Sequence, residues 1–171
     1  MENKYLQVAG FLDNSLVNGL GLRSVVFVSG CNHNCKGCHN KEMQSFCYGD
    51  KVSLKDILKR IENNIPLIRG VTFSGGEPLE HIKELSSLAE EIKSLGLNIW
   101  CYTGYTFEYI KKEINKNHDF KKLIESIDVL VDGKYDKLKK DSSLKYKGSS
   151  NQRIIDVNKS LDRDEIVILD L

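Results

Sequence analysis

The sequence predicts an α/β fold, an open, partial (β/α) barrel built on a mostly parallel sheet. Three observations predict it. Short apolar runs alternate with amphipathic stretches, the pattern of repeated βα units. The apolar runs are nearly continuous, as strands covered on both faces are. The chain has 171 residues, enough for a single domain over 1–171 with a core that needs no disulfides.

The candidate core strands are 22–28, 70–74, 97–102 and 127–131. Between the first two, Ser53 reads as the capping residue of a helix whose inner face carries Leu54, Ile57, Leu58 and Ile61. Between the next two, Ile82, Leu85, Leu88, Ala89, Ile92 and Leu95 recur at helical spacing, with Gly96 placed as a left-handed C-terminal cap. A third helical region starts near Thr106, breaks around 115–119 and resumes through Leu123 and Ile124. Residues 5–12 read as an additional strand at the sheet edge, and 154–157 and 166–169 as short terminal strands. The lysine-rich segment 134–151 reads as an ordered loop or flap rather than a core element.

Composition removes several classes of function. Hydrophobic residues make up 40% and charged residues 29%, a globular balance. Twenty-five basic against 24 acidic residues leave a net charge of +1, with no overall excess to argue for nucleic acid. No apolar stretch approaches a membrane span, and the start, Met1-Glu-Asn-Lys-Tyr5, lacks the apolar core of a signal peptide. Five cysteines, three of them crowded together, do not form a disulfide framework. The expected compartment is the reducing cytoplasm.

Those three cysteines carry the chemistry. Cys31, Cys35 and Cys38 are spaced Cys-x3-Cys-x2-Cys directly after the run Val25-Val26-Phe27-Val28. Soft thiolates select iron–sulfur clusters, zinc or Cu(I). Three of them hold three corners of a cubane and leave one iron without a protein ligand, open to a small molecule. Two other readings remain. One is a Cys3His zinc site completed by His33, His39, His81 or His118. The other is a closed electron-transfer cluster completed by Cys47 or Cys101.

A second motif, Ser74-Gly75-Gly76-Glu77-Pro78, follows the candidate strand Val71-Thr72-Phe73. Paired glycines let the backbone turn sharply and approach a ligand with no Cβ in the way. Glu77 adds a carboxylate that would accept from an ammonium group. The plainer alternative is a strand-to-helix turn with Pro78 at the first helical position.

Together the cysteine spacing and the Gly-Gly-Glu-Pro turn resemble the radical S-adenosylmethionine (SAM) superfamily. The resemblance implies a [4Fe–4S] cluster on Cys31, Cys35 and Cys38, with SAM chelating the fourth iron through its amino and carboxylate groups. It implies contacts from Gly75, Gly76 and Glu77 to the SAM amino group, and reductive cleavage of SAM to a 5′-deoxyadenosyl radical that takes a hydrogen atom. No protein general base is needed, since a hydrogen atom moves rather than a proton. The family often has an aromatic residue before the third cysteine; here Gly37 stands there.

Further segments resemble the glycyl-radical-enzyme activases: Asn18-Gly19-Leu20-Gly21-Leu22-Arg23, Cys38-His39-Asn40 and Trp100-Cys101-Tyr102-Thr103-Gly104-Tyr105. A proline common in the first of these is Leu20 here. The segments from Asp128 to Tyr135 and from Gly148 to Arg153 are similar to the family that activates anaerobic ribonucleoside-triphosphate reductase. That implies the reductase as protein substrate and a flavodoxin- or ferredoxin-type electron donor. Asp132 and Lys134, past the fourth strand, are then expected at the SAM ribose or carboxylate, with Tyr102 and Thr103 as further SAM contacts. A solvated loop pair is the plainer reading of Asp132 and Lys134. Asn151 and Arg153 receive no role from the sequence. The rivals are another small radical SAM enzyme (pyruvate formate-lyase activase-like or deazaguanine-forming), a closed-cluster electron carrier and a zinc-stabilised module.

Overall fold

A computed structural model describes residues 4–171; Met1, Glu2 and Asn3 lie outside the described residues. Seven strands form one sheet: β1 Tyr5–Ser15, β2 Arg23–Val28, β3 Asp50–Ser53, β4 Gly70–Gly75, β5 Asn98–Tyr102, β6 Val129–Asp132 and β7 Arg153–Asp156. Their order is β3-β1-β2-β4-β5-β6-β7. The four central strands, β2, β4, β5 and β6, are parallel, while β1, β3 and β7 pair antiparallel. The sheet ends at β3 and β7 without closing, the open form expected.

Alternation within the parallel strands explains their continuous apolar character. Val26, Val28, Val71, Phe73, Ile99, Cys101 and Leu130 belong to the main core. Into it α1 Leu54–Glu62 sends Leu54, Ile57 and Ile61, and α2 Ile82–Ser94 sends Leu85, Leu88, Ala89 and Ile92. Trp100, Val131 and Ile154 face the other way, in a smaller cluster with Tyr102 and Tyr146. The helices α3 Phe107–Glu113 and α4 His118–Ser126 are separated by the expected break. Ser53, Thr106 and Asn117 each accept a backbone N–H at a helix start, a cap worth about 1 kcal/mol. Among the described residues no helix is long and apolar enough to cross a membrane.

Arg23 ties the lower end of the sheet together. It is fully buried and donates to Thr72 Oγ1 and the Val71 carbonyl, both at 2.8 Å, beneath the Trp100 ring. Its contact to the Leu20 carbonyl, at 3.2 Å, holds the turn before β2. Burial pushes its pKa down to about 10.

Three expectations are corrected. The segment 5–12 is not an edge strand: β1 runs on to Ser15 and lies between β3 and β2. The edge is β3, whose four residues, Asp-Lys-Val-Ser, are too short and polar to announce a strand. The segment 154–157 is a strand only to Asp156, whose carboxylate caps α5, Val157–Arg163. The segment 166–169 makes a single bridge, Ile168 to Ile155, not a strand.

Candidate active site

The four parallel strands end side by side, and the residues just past their carboxyl ends surround one cleft of about 210 Å3. It lies at the sheet end where α/β folds bind ligands. Cys31, Cys35 and Cys38 enter from the loop after β2, Gly75 and Gly76 from β4, Tyr102 and Thr103 from β5, and Gly133 from β6.

All three cysteines are half-buried. Burial pushes the Cys31 and Cys35 thiols up; the backbone N–H groups of His33 and Tyr135, bonded to Cys31 and Cys35 respectively, pull the other way. Bound metal requires thiolates, so loading the site releases protons. Among the described residues no three His, Cys, Asp or Glu side chains converge as a single metal ion demands. A cubane distributes its thiolates over different irons and needs no such convergence. The donor set and its partial burial fit a [4Fe–4S] cluster.

The two glycines are required by crowding. The Gly76 N–H donates to the Val28 carbonyl at 2.8 Å, and the Glu77 N–H to the Gly30 carbonyl at 2.8 Å. A Cβ on Gly76 would lie 2.4 Å from the Gly30 carbonyl oxygen, and one on Gly75 2.5 Å from that of Val28. Asn40, two residues past the last cysteine, donates to the Gly75 carbonyl at 3.2 Å. The cysteine loop and the glycine turn thus pack backbone on backbone.

Glu77 lies beneath this contact, fully buried. Its Oε1 accepts from the Leu79 N–H at 3.0 Å and the Thr103 hydroxyl at 2.8 Å. Its Oε2 accepts from the Gly104 N–H at 2.8 Å and meets His33 Nε2 at 2.6 Å. Asp132, 1% exposed, is equally engaged. Oδ1 accepts from Arg153 Nε at 3.0 Å; Oδ2 accepts from the Phe107 N–H at 2.8 Å and from Arg153 Nη2.

Comparison with known proteins decides the family. A family profile described as "4Fe-4S single cluster domain" matches residues 17–155. The anaerobic ribonucleoside-triphosphate reductase-activating protein of Pasteurella multocida is 36% identical over 152 residues, 84% of this chain and 93% of that protein. The protein of the same name from Haemophilus influenzae is 34% identical over 157 residues, covering 88% and 96%. The chain belongs to the anaerobic ribonucleoside-triphosphate reductase-activating protein family. Most of it, residues 17–155, falls within the iron–sulfur profile. Among solved structures, QueE from Escherichia coli superposes with a TM-score of 0.47 at 17% identity, over 60% of this chain and 53% of that one.

In this chain the cleft gathers most of the residues expected from the sequence, but not all. Glu77 and Asp132 stand behind the cleft wall rather than on it, each with both oxygens accepting from protein donors. Lys134 lines a neighbouring cavity on the flap instead. The two spare cysteines stay away: Cys101 sits in the helix-side core and Cys47 is exposed, and neither lines the cleft. Of the histidines weighed as zinc ligands, His33 contacts Glu77, His81 contacts the Ser29 carbonyl at 2.6 Å, and His118 lies beside Asp119. His39 lines the cleft against the Tyr135 ring.

Asn40, Tyr135 and Gln152 also line the cleft, with no role assigned from the sequence, and so does His33, weighed there only as a zinc ligand. Asn40, Tyr135 and Gln152 stand inside the family-like segments, the only signal available. Gln152 donates to the Gly133 carbonyl and accepts from the Gly148 and Ser149 N–H groups, and Asn151 donates to the Lys134 carbonyl. These bonds staple the flap, and Arg153 braces Asp132 against Glu108.

Proposed function

We propose that this chain, as a single domain, reductively cleaves SAM at an open [4Fe–4S] cluster and removes the α-hydrogen atom of one glycine in anaerobic ribonucleoside-triphosphate reductase. The observation that carries this reading is the meeting of Cys31, Cys35 and Cys38 with Gly75, Gly76, Tyr102 and Thr103 on one open cleft. When bound, the cluster supplies the electron and the open iron at which SAM is split to methionine and the 5′-deoxyadenosyl radical.

The chain's own residues hold, orient and exclude. Cys31, Cys35 and Cys38 are the assigned iron ligands. Gly75 and Gly76 leave room for the methionine end of SAM, and the side chains of Tyr102 and Thr103 border the same space. Glu77 is assigned to this binding group through the donors it fixes, Thr103, Gly104 and His33. Asp132 is assigned to the adenosyl side through the Phe107 N–H and Arg153, with Lys134 at the rim. The sheet's open side leaves a path for a loop of a protein substrate. The family's reducing chemistry and the crowded free thiols favour the cytoplasm, with a flavodoxin- or ferredoxin-type protein as electron source.

The test is to incubate the anaerobically reconstituted protein with reduced carrier, SAM and the purified reductase, then record the electron paramagnetic resonance spectrum. A glycyl radical that forms on the reductase and requires Cys31, Cys35 and Cys38 is expected. Turnover of a free metabolite with no protein radical would support the small-molecule alternative instead.

A further inference from the structure

The flap between β6 and β7 carries a second cavity, of about 400 Å3, beside the cysteine loop. Lys36, Lys134, Lys137 and Leu138 line it. Tyr135 lines both this cavity and the cysteine cleft, so a single side chain forms the wall they share. The Lys137 chain packs directly on the cysteine loop, where a Cβ on Gly37 would come within 2.9 Å of its Cδ.

Charge concentrates here. Residues 134–147 hold six lysines against two aspartates, in a chain balanced overall at 25 to 24. Among the described residues, only one of those six has a carboxylate within ion-pair distance, Lys139 with Asp136 at 3.9 Å. Leu138, amid these lysines, is 95% exposed. The patch is preformed. Asn151 donates to the Lys134 carbonyl and the Asp136 N–H to Ser149 Oγ, so binding need not order the segment.

We propose that this lysine patch docks an acidic flavoprotein that delivers the electron for SAM cleavage, an inference that rests on the function proposed above. The cleft must hold SAM and admit a glycine, so an electron donor needs another approach to the cysteines. The flap provides one, a side chain's thickness away through Tyr135. Unpaired lysines around an apolar centre suit a partner whose carboxylates frame the exposed apolar edge of a flavin. One electron leaves the reduced flavin and is gained by the cluster at Cys31, Cys35 and Cys38. No bond forms or breaks.

The test measures binding of a bacterial flavodoxin to the anaerobically reconstituted protein across a salt series. Affinity should fall as salt rises, because screening weakens exposed charge pairs. Lys137→Glu/Lys139→Glu should weaken binding by about tenfold at low salt and flatten the salt dependence. Lys139→Glu/Lys140→Glu, which leaves Lys137 on Gly37, should act in the same direction. Iron content and dithionite-driven 5′-deoxyadenosine formation should match wild type in both variants. Unchanged flavodoxin binding in both variants, with iron intact, would overturn the proposal. So would weakened binding of the reductase alone, which would give the patch to that partner, or tighter charge-dependent binding of a ferredoxin than of flavodoxin. Failure of wild type to form 5′-deoxyadenosine with dithionite, even with the reductase present, would instead strike the proposed function, and the binding series would still decide what the patch docks.

Discussion

His33 Nε2 lies 2.6 Å from Glu77 Oε2, joining the cysteine loop after β2 to the Gly-Gly-Glu turn after β4. The two residues are 44 apart in sequence. The same carboxylate reaches Thr103 and Gly104 after β5. Three strand ends are therefore fixed to one another through one buried side chain. His33 is itself held edge-on by the Tyr105 ring, 4.4 Å between centroids. The contact sets where the thiolates stand relative to the glycines.

Removing the carboxylate should be costly. Glu77→Ala would strand the Thr103 hydroxyl, the Gly104 and Leu79 N–H groups and His33 in a buried site. We expect a loss of about 3 kcal/mol, since each unsatisfied buried group costs about 1–3 kcal/mol. Urea unfolding of the metal-free protein checks it, and a loss below about 1 kcal/mol would mean that water replaces the network.

His33→Ala separates position from stability. The apo fold should survive and the protein should still take up iron, because His33 is not one of the three thiolates. SAM affinity should drop, by about tenfold, the equivalent of one hydrogen bond to a charged group. Equilibrium binding of SAM to the reconstituted protein reads this directly. Lost iron with unchanged SAM affinity would make His33 a cluster residue instead.

Gly76→Ala and Gly96→Ala should differ sharply. A Cβ on Gly76 would meet the Gly30 and Met43 carbonyl oxygens at 2.4 and 2.8 Å, backbone atoms that cannot step aside. Gly96 has φ +74 but nothing within 4 Å of its would-be Cβ. Gly96→Ala should cost only the left-handed conformation, about 1–2 kcal/mol, with SAM binding intact. Gly76→Ala should reduce iron loading and SAM binding together, as measured by iron analysis and SAM titration.

The Glu108–Arg153 pair gives a pH dependence. Hydrogen bonds from Arg153, with a backbone contribution, hold the Glu108 carboxyl down at about 2, against an ordinary 4.5. A carboxyl with a depressed folded value stabilises the protein fully above 4.5 and loses that contribution as pH falls from there through about 2. Wild type should therefore lose melting temperature more steeply than Glu108→Gln across that window. The Glu108 side chain is 54% exposed, so the difference should shrink in high salt. Parallel pH profiles of the two proteins would contradict the pairing.

Most of the scaffold was legible because buried parallel strands need continuous apolar runs and their helices need a periodic face. Val25 to Val28 and Ile82 to Leu95 declare themselves that way. The four-residue β3 and seven-residue α5 do not, since short polar elements are stabilised by neighbours rather than by pattern. The cysteines and glycines were legible because their spacing is local. The closure of Asp132 by Arg153 and of Glu77 by His33 was not, because each pair forms only when distant strand ends meet. A carboxylate at a strand end looks like a ligand contact until its donors are known.

The most direct measurement is 5′-deoxyadenosine formed by the anaerobically reconstituted, dithionite-reduced protein with SAM, with and without the reductase, beside a Cys35→Ala control. The account predicts 5′-deoxyadenosine from wild type and none from Cys35→Ala. No product from wild type carrying an intact, reduced cluster, even with the reductase present, would contradict it and return the cysteines to simple electron transfer.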